Sequence, residues 1–280
     1  MSSMLLAAIS EALANLPELR HARMACLIGV PESRPGVPAE LSQLLSAALT
    51  KNVGIPHGAQ QVLPYGHAAS LVALQVAAQS VAAERMDVCI AAGVDSYHSP
   101  DTLEWLDSEG DLLSSANRNG FPPGEGAGAC IIVSRAFAER HALPILAYID
   151  AAGMGFEPNS IRSSQVCIGA GLTEALRNAL TSLGPQQAIS ATYCDLNGQR
   201  YRSEEFSYAL LRVQHAFADA HDYESPADCW GDLGAASGAL FACLAIAAQL
   251  RGYAKGNHAI LWTGSESGHR AAVVLRAVAT

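Results

Sequence analysis

The chain has 280 residues, of which 50% are hydrophobic and 15% are charged, and its formal net charge is −9. This composition supports a large buried core, and the negative charge disfavours nucleic acid or an anionic membrane as the main partner. Apolar runs are too short to span a bilayer, and the first residues lack the basic stretch of a signal peptide. We therefore expect a cytoplasmic globular protein that uses no cofactor.

Helices and strands alternate along the predicted chain, as in layered α/β proteins. Helices are expected at 3–16, 39–49, 68–83, 171–183, 203–217 and 234–251. Strands are expected at 25–30, 60–63, 88–92, 129–133, 145–152, 188–194, 258–263 and 271–277. No charge run or Ser/Gly linker interrupts this order, so the whole chain, 1–280, is predicted to be one domain.

Seven cysteines are scattered along the chain without CxxC spacing, which argues against a zinc site or a disulfide framework. We expect buried free thiols in a reducing compartment, because an unpaired cysteine packs as a small hydrophobic residue. They are Cys26, Cys89, Cys130, Cys167, Cys194, Cys229 and Cys243.

The segment Asn117–Val133 (NRNGFPPGEGAGACIIV) is the most informative part of the sequence. Gly124, Gly126 and Gly128 fall within five residues and lead into an apolar run. Glycine tolerates positive φ and close backbone approach, so the pattern predicts a glycine-rich turn before a buried strand.

Two earlier segments, YGHAASLVAL at 65–74 and MDVCIAAGVDS at 86–96, complete a recognisable order. Together the three segments resemble the central part of β-ketoacyl synthases, which belong to the thiolase-like superfamily. In that family a nucleophilic cysteine opens a helix (TACSSSLVAL), the next strand ends in AGG-x-(E/D)-S, and a later loop reads RDGFVxGEGAG. The resemblance continues more weakly from Met24 to Leu275.

This resemblance implies a thiolase-like α-β-α-β-α fold with two similar halves. The family's opening strand, VVVTGxGxxSPxG, has no counterpart before Met24, so the first half (1–150) is expected to be N-terminally incomplete and the second half to span 151–280. The family's dimer contact involves the strand before the nucleophile, which predicts a homodimer through Gln60–Leu63.

The catalytic positions of the family carry other residue types here. The nucleophilic cysteine aligns with His67. The family histidine in NAHGTST aligns with Asp195, or with Cys194 after a one-residue shift, and the histidine in GHLxGAAG aligns with Asp232. An ionised aspartate cannot donate a hydrogen bond to an enolate, and two facing aspartates would repel a carbanion.

Backbone-determining glycines are kept at the same time. Besides the three in the glycine-rich segment, Gly231 and Gly238 flank the second histidine position, and Gly268 lies in the segment that replaces the terminal GFGGTN loop. We interpret this contrast as a ketosynthase-like protein without condensing activity, acting as a scaffold or partner subunit. Its partner could be a catalytic protein or an acyl carrier protein, in an acyl-carrier-linked or secretion-effector system.

Two enzymatic alternatives remain open. One is an acyltransferase or malonyl decarboxylase with an atypical nucleophile at Cys194, Ser70 or His67, although neighbouring Asp195 would raise the pKa of the Cys194 thiol. The other is a site formed by convergence of His67, Asp195 and Asp232, because one imidazole and two carboxylates can bind a divalent metal or act in acid–base chemistry.

Two charged segments are expected to be solvated. The mixed charges of Arg200, Arg202, Glu204 and Glu205 are typical of a surface helix. The acidic stretch Asp101–Asp111 is predicted to form an exposed loop and helix start.

Overall fold

Two four-stranded sheets form the frame of the computed structural model, which describes residues 1–14, 16, 19, 22–161 and 163–278. The strands are β1 (Met24–Gly29), β2 (Gln60–Leu63), β3 (Val88–Ser96), β4 (Glu125–Val133), β5 (Ala147–Phe156), β6 (Ala191–Cys194), β7 (His258–Gly264) and β8 (His269–Ala277). The α-helices are α1 (Ser2–Leu13), α2 (Leu41–Asn52), α3 (Ala69–Ala82), α4 (Pro100–Glu109), α5 (Arg135–Arg140), α6 (Ala170–Leu180), α7 (Arg200–Val213), α8 (Ala227–Trp230) and α9 (Ser237–Leu250).

The first sheet has the order β2-β1-β3-β4, and the second has the order β5-β8-β7-β6. Strands β2, β1 and β3 are parallel, whereas β4 runs antiparallel to β3. In the second sheet β6 and β7 are parallel and β8 is antiparallel to both of its neighbours. The first sheet therefore has three parallel strands with β4 as an antiparallel edge, whereas the antiparallel strand of the second sheet, β8, lies inside it between β5 and β7.

Three layers of helices and the two sheets stack as five layers. Helices α1 and α2 pack on the outer face of the first sheet, α6 and α7 pack on the outer face of the second, and α3 and α9 lie between the sheets. Helix α3 suits the central layer because its sequence, ASLVALQVAAQSVA, is apolar on nearly every side. The predicted α-β-α-β-α fold is confirmed.

The glycine-rich segment is not the turn that its sequence suggested. Gly126 and Gly128 lie inside β4, paired with Asp95 and Gly93 of β3, and neither has positive φ. A Cβ atom on Gly128 would lie 3.0 Å from Cγ of Leu240 in α9. The glycines are explained by the close approach of this helix to the strand, and the turn prediction was wrong because close approach and positive φ give the same sequence signal.

The acidic stretch at 101–111 is mostly helix α4, and part of it is buried. Ser99 caps the helix by accepting a hydrogen bond from the Thr102 N–H, and Pro100 occupies the first turn. Leu106 is fully buried. A Ser-Pro start followed by Gly110 at the end is a usable helix signal, so the expected loop is corrected.

All seven cysteines are free. Cys26, Cys89 and Cys194 are buried, whereas Cys229 and Cys243 are exposed, so the expectation of buried thiols was wrong for these last two. No helix in the described part of the chain is long and apolar enough to cross a bilayer.

Candidate functional site

Three residues that are far apart in the sequence converge at one end of the layers. His67 lies in a short turn (Gly66–Ala68) immediately before α3, Asp195 follows the end of β6, and Asp232 lies between α8 and α9. All three side chains are buried. The sequence alignment had assigned these residues to equivalent catalytic positions, and the structure brings them together.

His67 and Asp232 form a direct ion pair. Nε2 of His67 lies 2.9 Å from both carboxylate oxygens of Asp232. An ionised carboxylate can only accept a hydrogen bond, so Nε2 is the donor. The ring nitrogen is therefore protonated and engaged by a buried negative charge.

Asp232 is saturated by further donors. Its Oδ2 accepts from Nδ2 of Asn197 at 2.6 Å, and its Oδ1 accepts from the Gly234 N–H at 2.8 Å. The backbone of Asp232 is also fixed, because its N–H donates to Pro122 O and its carbonyl accepts from the Gly124 N–H. The segment that identified the fold thus positions this carboxylate.

Asp195 pairs with a residue that the sequence reasoning had placed on the surface. Its Oδ2 accepts from Nη1 of Arg202 at 3.0 Å and from the Gly264 N–H at 2.8 Å. Nη2 of Arg202 approaches Nε2 of His67 to 3.3 Å. Since both groups are donors, this approach is a contact between two cations that the flanking aspartates neutralise. The two aspartates, which were expected to repel a carbanion, are thus each paired with a positively charged side chain.

Helix α7 is buried on the side that carries Arg202 and Glu205, whose exposures are both 4%. Arg200 and Glu204 form an exposed pair on its other side, so the surface-helix prediction was right for them and wrong for the buried two. Glu205 binds Arg270 through two hydrogen bonds of 2.6 and 2.8 Å. Helical spacing could have signalled this, because Arg202 shares a face with the apolar residues of the helix, Phe206, Ala209 and Val213.

The charges in the site shift each other's protonation. Burial alone would lower the pKa of His67, but the charge of Asp232 and its hydrogen bond outweigh it and raise that pKa. Burial alone would raise the pKa of Asp232, but His67 and Arg202 hold that pKa well below its usual range. Both directions favour the charged forms of the pair, an imidazolium facing a carboxylate.

A second buried pair adjoins the first and was also missed. Nη2 of Arg34 donates to Oδ1 of Asp95 at 2.6 Å, and its guanidinium lies 4.0 Å from the ring centroid of Tyr97. Oδ2 of Asp95 accepts from the Ala235 N–H, three residues after Asp232. Three carboxylates therefore face three cations, Arg34, Arg202 and protonated His67, and the charges balance.

The candidate displaced nucleophiles lie in other contacts. The Cys194 thiol is fully buried and donates to the Glu224 carbonyl at 3.5 Å, and burial raises its pKa, as does neighbouring Asp195 to a smaller degree. The Ser70 hydroxyl accepts from the Ala239 N–H at 3.1 Å, where α3 meets α9. Neither group contacts His67 in these interactions.

The glycines around the site have two separate roles. Gly231 and Gly268 adopt positive φ, of 79° and 105°, in the loops that bound the site. Gly124 and Gly238 permit close contacts, since a Cβ atom would lie 2.6 Å from Trp230 O and 2.5 Å from Cγ of Leu71, respectively. Ser265 in the second of these loops also accepts from the Ala68 N–H and bonds the Tyr65 carbonyl, which holds the His67 turn.

The site does not have the form of a metal centre. Among the described residues, the group whose ligand atoms all lie within 4.8 Å of one another is Glu157, Cys167 and Glu205, and it does not include His67. Arg202 stands between Asp195 and His67 and supplies the positive charge there. The site is a buried network of ion pairs in which Oδ1 of Asp195 and Nε of Arg34 have no hydrogen-bond partner in the part of the chain that the structure describes.

Comparison with known proteins bears on the fold of the chain. Residues 30–138 match the family model for the β-ketoacyl synthase N-terminal domain. No curated protein matches the chain by sequence. The predicted resemblance to the β-ketoacyl synthases is confirmed by this family model, and the following structures show the fold.

Several solved structures share the fold. The oxazolomycin ketosynthase domain OzmH KS7 of Streptomyces albus JA3453 has a TM-score of 0.79 at 16% identity, covering 100% of this chain and 60% of that domain. A type II polyketide synthase structure, of an acyl-carrier protein in complex with its ketosynthase, has a TM-score of 0.76 at 16% identity, covering 97% and 82%. The ishigamide ketosynthase/chain length factor has a TM-score of 0.67 at 19% identity, covering 92% and 74%.

The chain thus has the thiolase-like ketosynthase fold and spans 60% of the length of the oxazolomycin domain. At such identities the comparison supports the fold only, and the roles of the site residues are argued from the distances and contacts described above.

Proposed function

We propose that this chain is a non-catalytic subunit on the ketosynthase fold that acts by binding a protein partner. The observation that carries the proposal is the ion pair between His67 and Asp232, with Nε2 of His67 2.9 Å from both carboxylate oxygens. It stands at the position that the sequence alignment assigns to the nucleophile.

The chemistry of condensation needs groups that this site lacks. A nucleophile must offer a free electron pair, whereas Nε2 of His67 carries a proton held by Asp232. Stabilising an enolate or oxyanion needs uncommitted donors, and Nη1 of Arg202 and Nδ2 of Asn197 are engaged by Asp195 and Asp232. The network therefore supports a structural role for the former catalytic centre.

The relatives support the kind of partner. The structure named as a ketosynthase/chain length factor shares this fold, which favours pairing with a catalytic ketosynthase. The structure of a ketosynthase with its acyl-carrier protein makes a carrier protein the second partner class. The open edge of β2, Gln60–Leu63, is our proposed contact, either with a second copy or with the partner. Seven free cysteines suit a reducing, cytoplasmic setting for this assembly.

Intact-mass spectrometry tests the proposal directly. The wild type and a His67→Ala variant are each incubated with acyl- and malonyl-carrier protein, and adducts and decarboxylation are measured. We expect no covalent adduct and no carbon dioxide release from either protein. An acyl adduct on the wild type that is lost in His67→Ala would overturn the proposal in favour of an atypical acyltransferase.

Binding is measured separately. The tagged chain is co-expressed with a type II ketosynthase and with an acyl carrier protein from its source organism, and stoichiometric co-purification of either one is the expected result. A partnerless protein that turns over an acyl thioester would contradict the binding role.

A further inference from the structure

A cavity of about 520 Å³ lies between the second sheet and the C-terminal half of α9, and shares no lining residue with the site around His67. Its floor includes Tyr193 of β6 and Leu275 of β8, and its roof includes Leu244 and Ala245 of α9. The size and the largely apolar lining are typical of small-molecule sites, which are commonly 300–1,000 Å³.

Helix α9 is less buried beside this cavity than its sequence requires. Its sequence, SGALFACLAIAAQL, is apolar on every side, and such a helix is normally covered all round. Yet Leu244, Ala245 and Ile246, which line the cavity, are only partly buried. The cavity therefore presents apolar surface that an apolar group of a ligand would cover.

The mouth of the cavity is acidic. Glu224 and Asp228 line it, and Lys255 is its basic residue. Nζ of Lys255 already donates to Asp222 at 2.6 Å and to Glu224 at 2.9 Å, so its charge is compensated. Asp222 and Glu224 thus share one ammonium group, and Asp228 adds a further negative charge to the lining. The C-terminal end of α9 adds partial negative charge beside it.

Aromatic rings also line the cavity. Tyr223, Trp230 and Tyr253 are in the lining beside these acids, and Tyr253 is 61% exposed. Ring faces attract cations, most strongly when the cation is partly desolvated. Acids and rings together favour a positively charged head group over an anionic one.

We propose that this cavity binds a small amphiphilic cation, with an apolar chain or ring system between α9 and the second sheet and an ammonium group at the mouth near Asp228. This site is separate from the proposed function and would persist if that function were wrong.

Isothermal titration calorimetry with decyltrimethylammonium and with decyl sulfate tests the proposal, because the two probes have the same chain and opposite charge. We expect saturable one-to-one binding of the ammonium probe below its micelle concentration, and binding of the sulfate probe that is about tenfold weaker or absent. Equal affinity for both probes, or no saturable binding of the ammonium probe, overturns the proposal.

Two variants locate the binding. Asp228→Asn removes one charge from the mouth and is expected to weaken ammonium binding about two- to fivefold, as an exposed charge pair does. Asp107→Asn, an exposed acid on α4 outside the cavity, is the matched control and leaves the affinity unchanged. Ala245→Trp fills the cavity and is expected to abolish binding. If Ala245→Trp does not fold, the comparison of Asp228→Asn with Asp107→Asn decides, and equal affinities in those two variants contradict the site.

Discussion

At the scale of single residues, the centre of this protein is a set of charges that depend on each other. Arg202 contacts Asp195 and lies beside the His67–Asp232 pair, with its side chain 4% exposed. Removing one member of a buried ion pair leaves the other charge in a low-dielectric interior without a partner. The loss of Arg202 is therefore costly mainly because it leaves the buried charge of Asp195 without a partner.

Arg202→Met is expected to lower the free energy of unfolding by about 3–5 kcal/mol, because Asp195 loses its cation. Arg200→Met on the same helix is the control, since the Arg200 side chain is 81% exposed in its pair with Glu204, and its cost should stay below about 0.5 kcal/mol. Urea denaturation followed by circular dichroism measures both. Similar losses in the two variants would show that the buried network contributes little.

The protonation of His67 makes a second prediction at this scale. Its pKa is raised in the folded state, so its contribution is fully present below the unfolded value of about 6.5 and is lost as pH rises through the folded pKa. The pKa of Asp232 is lowered, so its contribution is present above about 3.9 and is lost as pH falls below that value.

Wild type and His67→Gln should therefore differ most in unfolding free energy between about pH 4 and 6.5, and the difference should shrink on either side. Chemical denaturation of both proteins from about pH 3 to about pH 9 measures this difference. A difference that stays constant across this range would mean that His67 is neutral throughout.

At the scale of elements, β4 and α9 approach each other through glycine. A Cβ atom on Gly128 would lie 3.0 Å from Cγ and 3.1 Å from the backbone nitrogen of Leu240. A Cβ atom on Gly126 would come no nearer than 3.3 Å, to a methyl end of Leu233. The same substitution therefore meets a rigid neighbour at one site and a flexible one at the other.

Gly128→Ala is expected to cost about 1–3 kcal/mol through overpacking against α9. Gly126→Ala, the matched control two residues earlier in β4, should be within about 0.5 kcal/mol of the wild type. Thermal and urea unfolding report both values. Equal stabilities of the two variants would show that contact with α9 is not what requires glycine at position 128.

The outer edge of β2 is the element that bears on assembly. The Val30 N–H donates to the Leu63 carbonyl at 3.0 Å, so the backbone of Leu63 faces β1. Backbone groups alternate in direction along a strand, which turns those of Val62 towards the open side. This edge can pair with another strand, as the predicted homodimer requires.

We expect the wild type to be a dimer in size-exclusion chromatography with light scattering, and Val62→Pro to be a monomer. Proline removes the outward N–H of Val62 without breaking a bond to β1, and edge strands tolerate it. Val62→Ala loses similar side-chain packing but keeps the N–H, so it should remain a dimer. A dimeric Val62→Pro would exclude this edge as the dimer contact, and a monomeric wild type would exclude the homodimer itself.

At the scale of the whole molecule, the two sheets share one core. The central cluster includes Leu27 and Ala91 from the first sheet and Leu261 and Val273 from the second, joined through α3 and α9. The His67–Asp232 pair adds a polar link between the same two halves. Neither half buries its inner face without the other.

The chain is therefore expected to unfold in one cooperative transition, with equal calorimetric and van't Hoff enthalpies in differential scanning calorimetry. Two separated transitions would show that 1–150 and 151–280 behave as independent domains.

The sequence by itself determined the fold class and most helices and strands. Continuous apolar runs such as β3, and the apolar surface of α3, are local patterns that predict buried layers without knowledge of contacts. The sequence also named His67, Asp195 and Asp232, because aligned motifs fix position even when residue types change.

Only the tertiary structure decided how those residues are paired. Arg202 and Arg34 reach the site from segments with no motif of their own, and a charge in a sequence does not reveal whether it is solvated or buried. The same limit applies to Gly128, whose role depends on a helix more than 100 residues away. Pairing and close approach are properties of distant contacts, and local patterns carry no information about them.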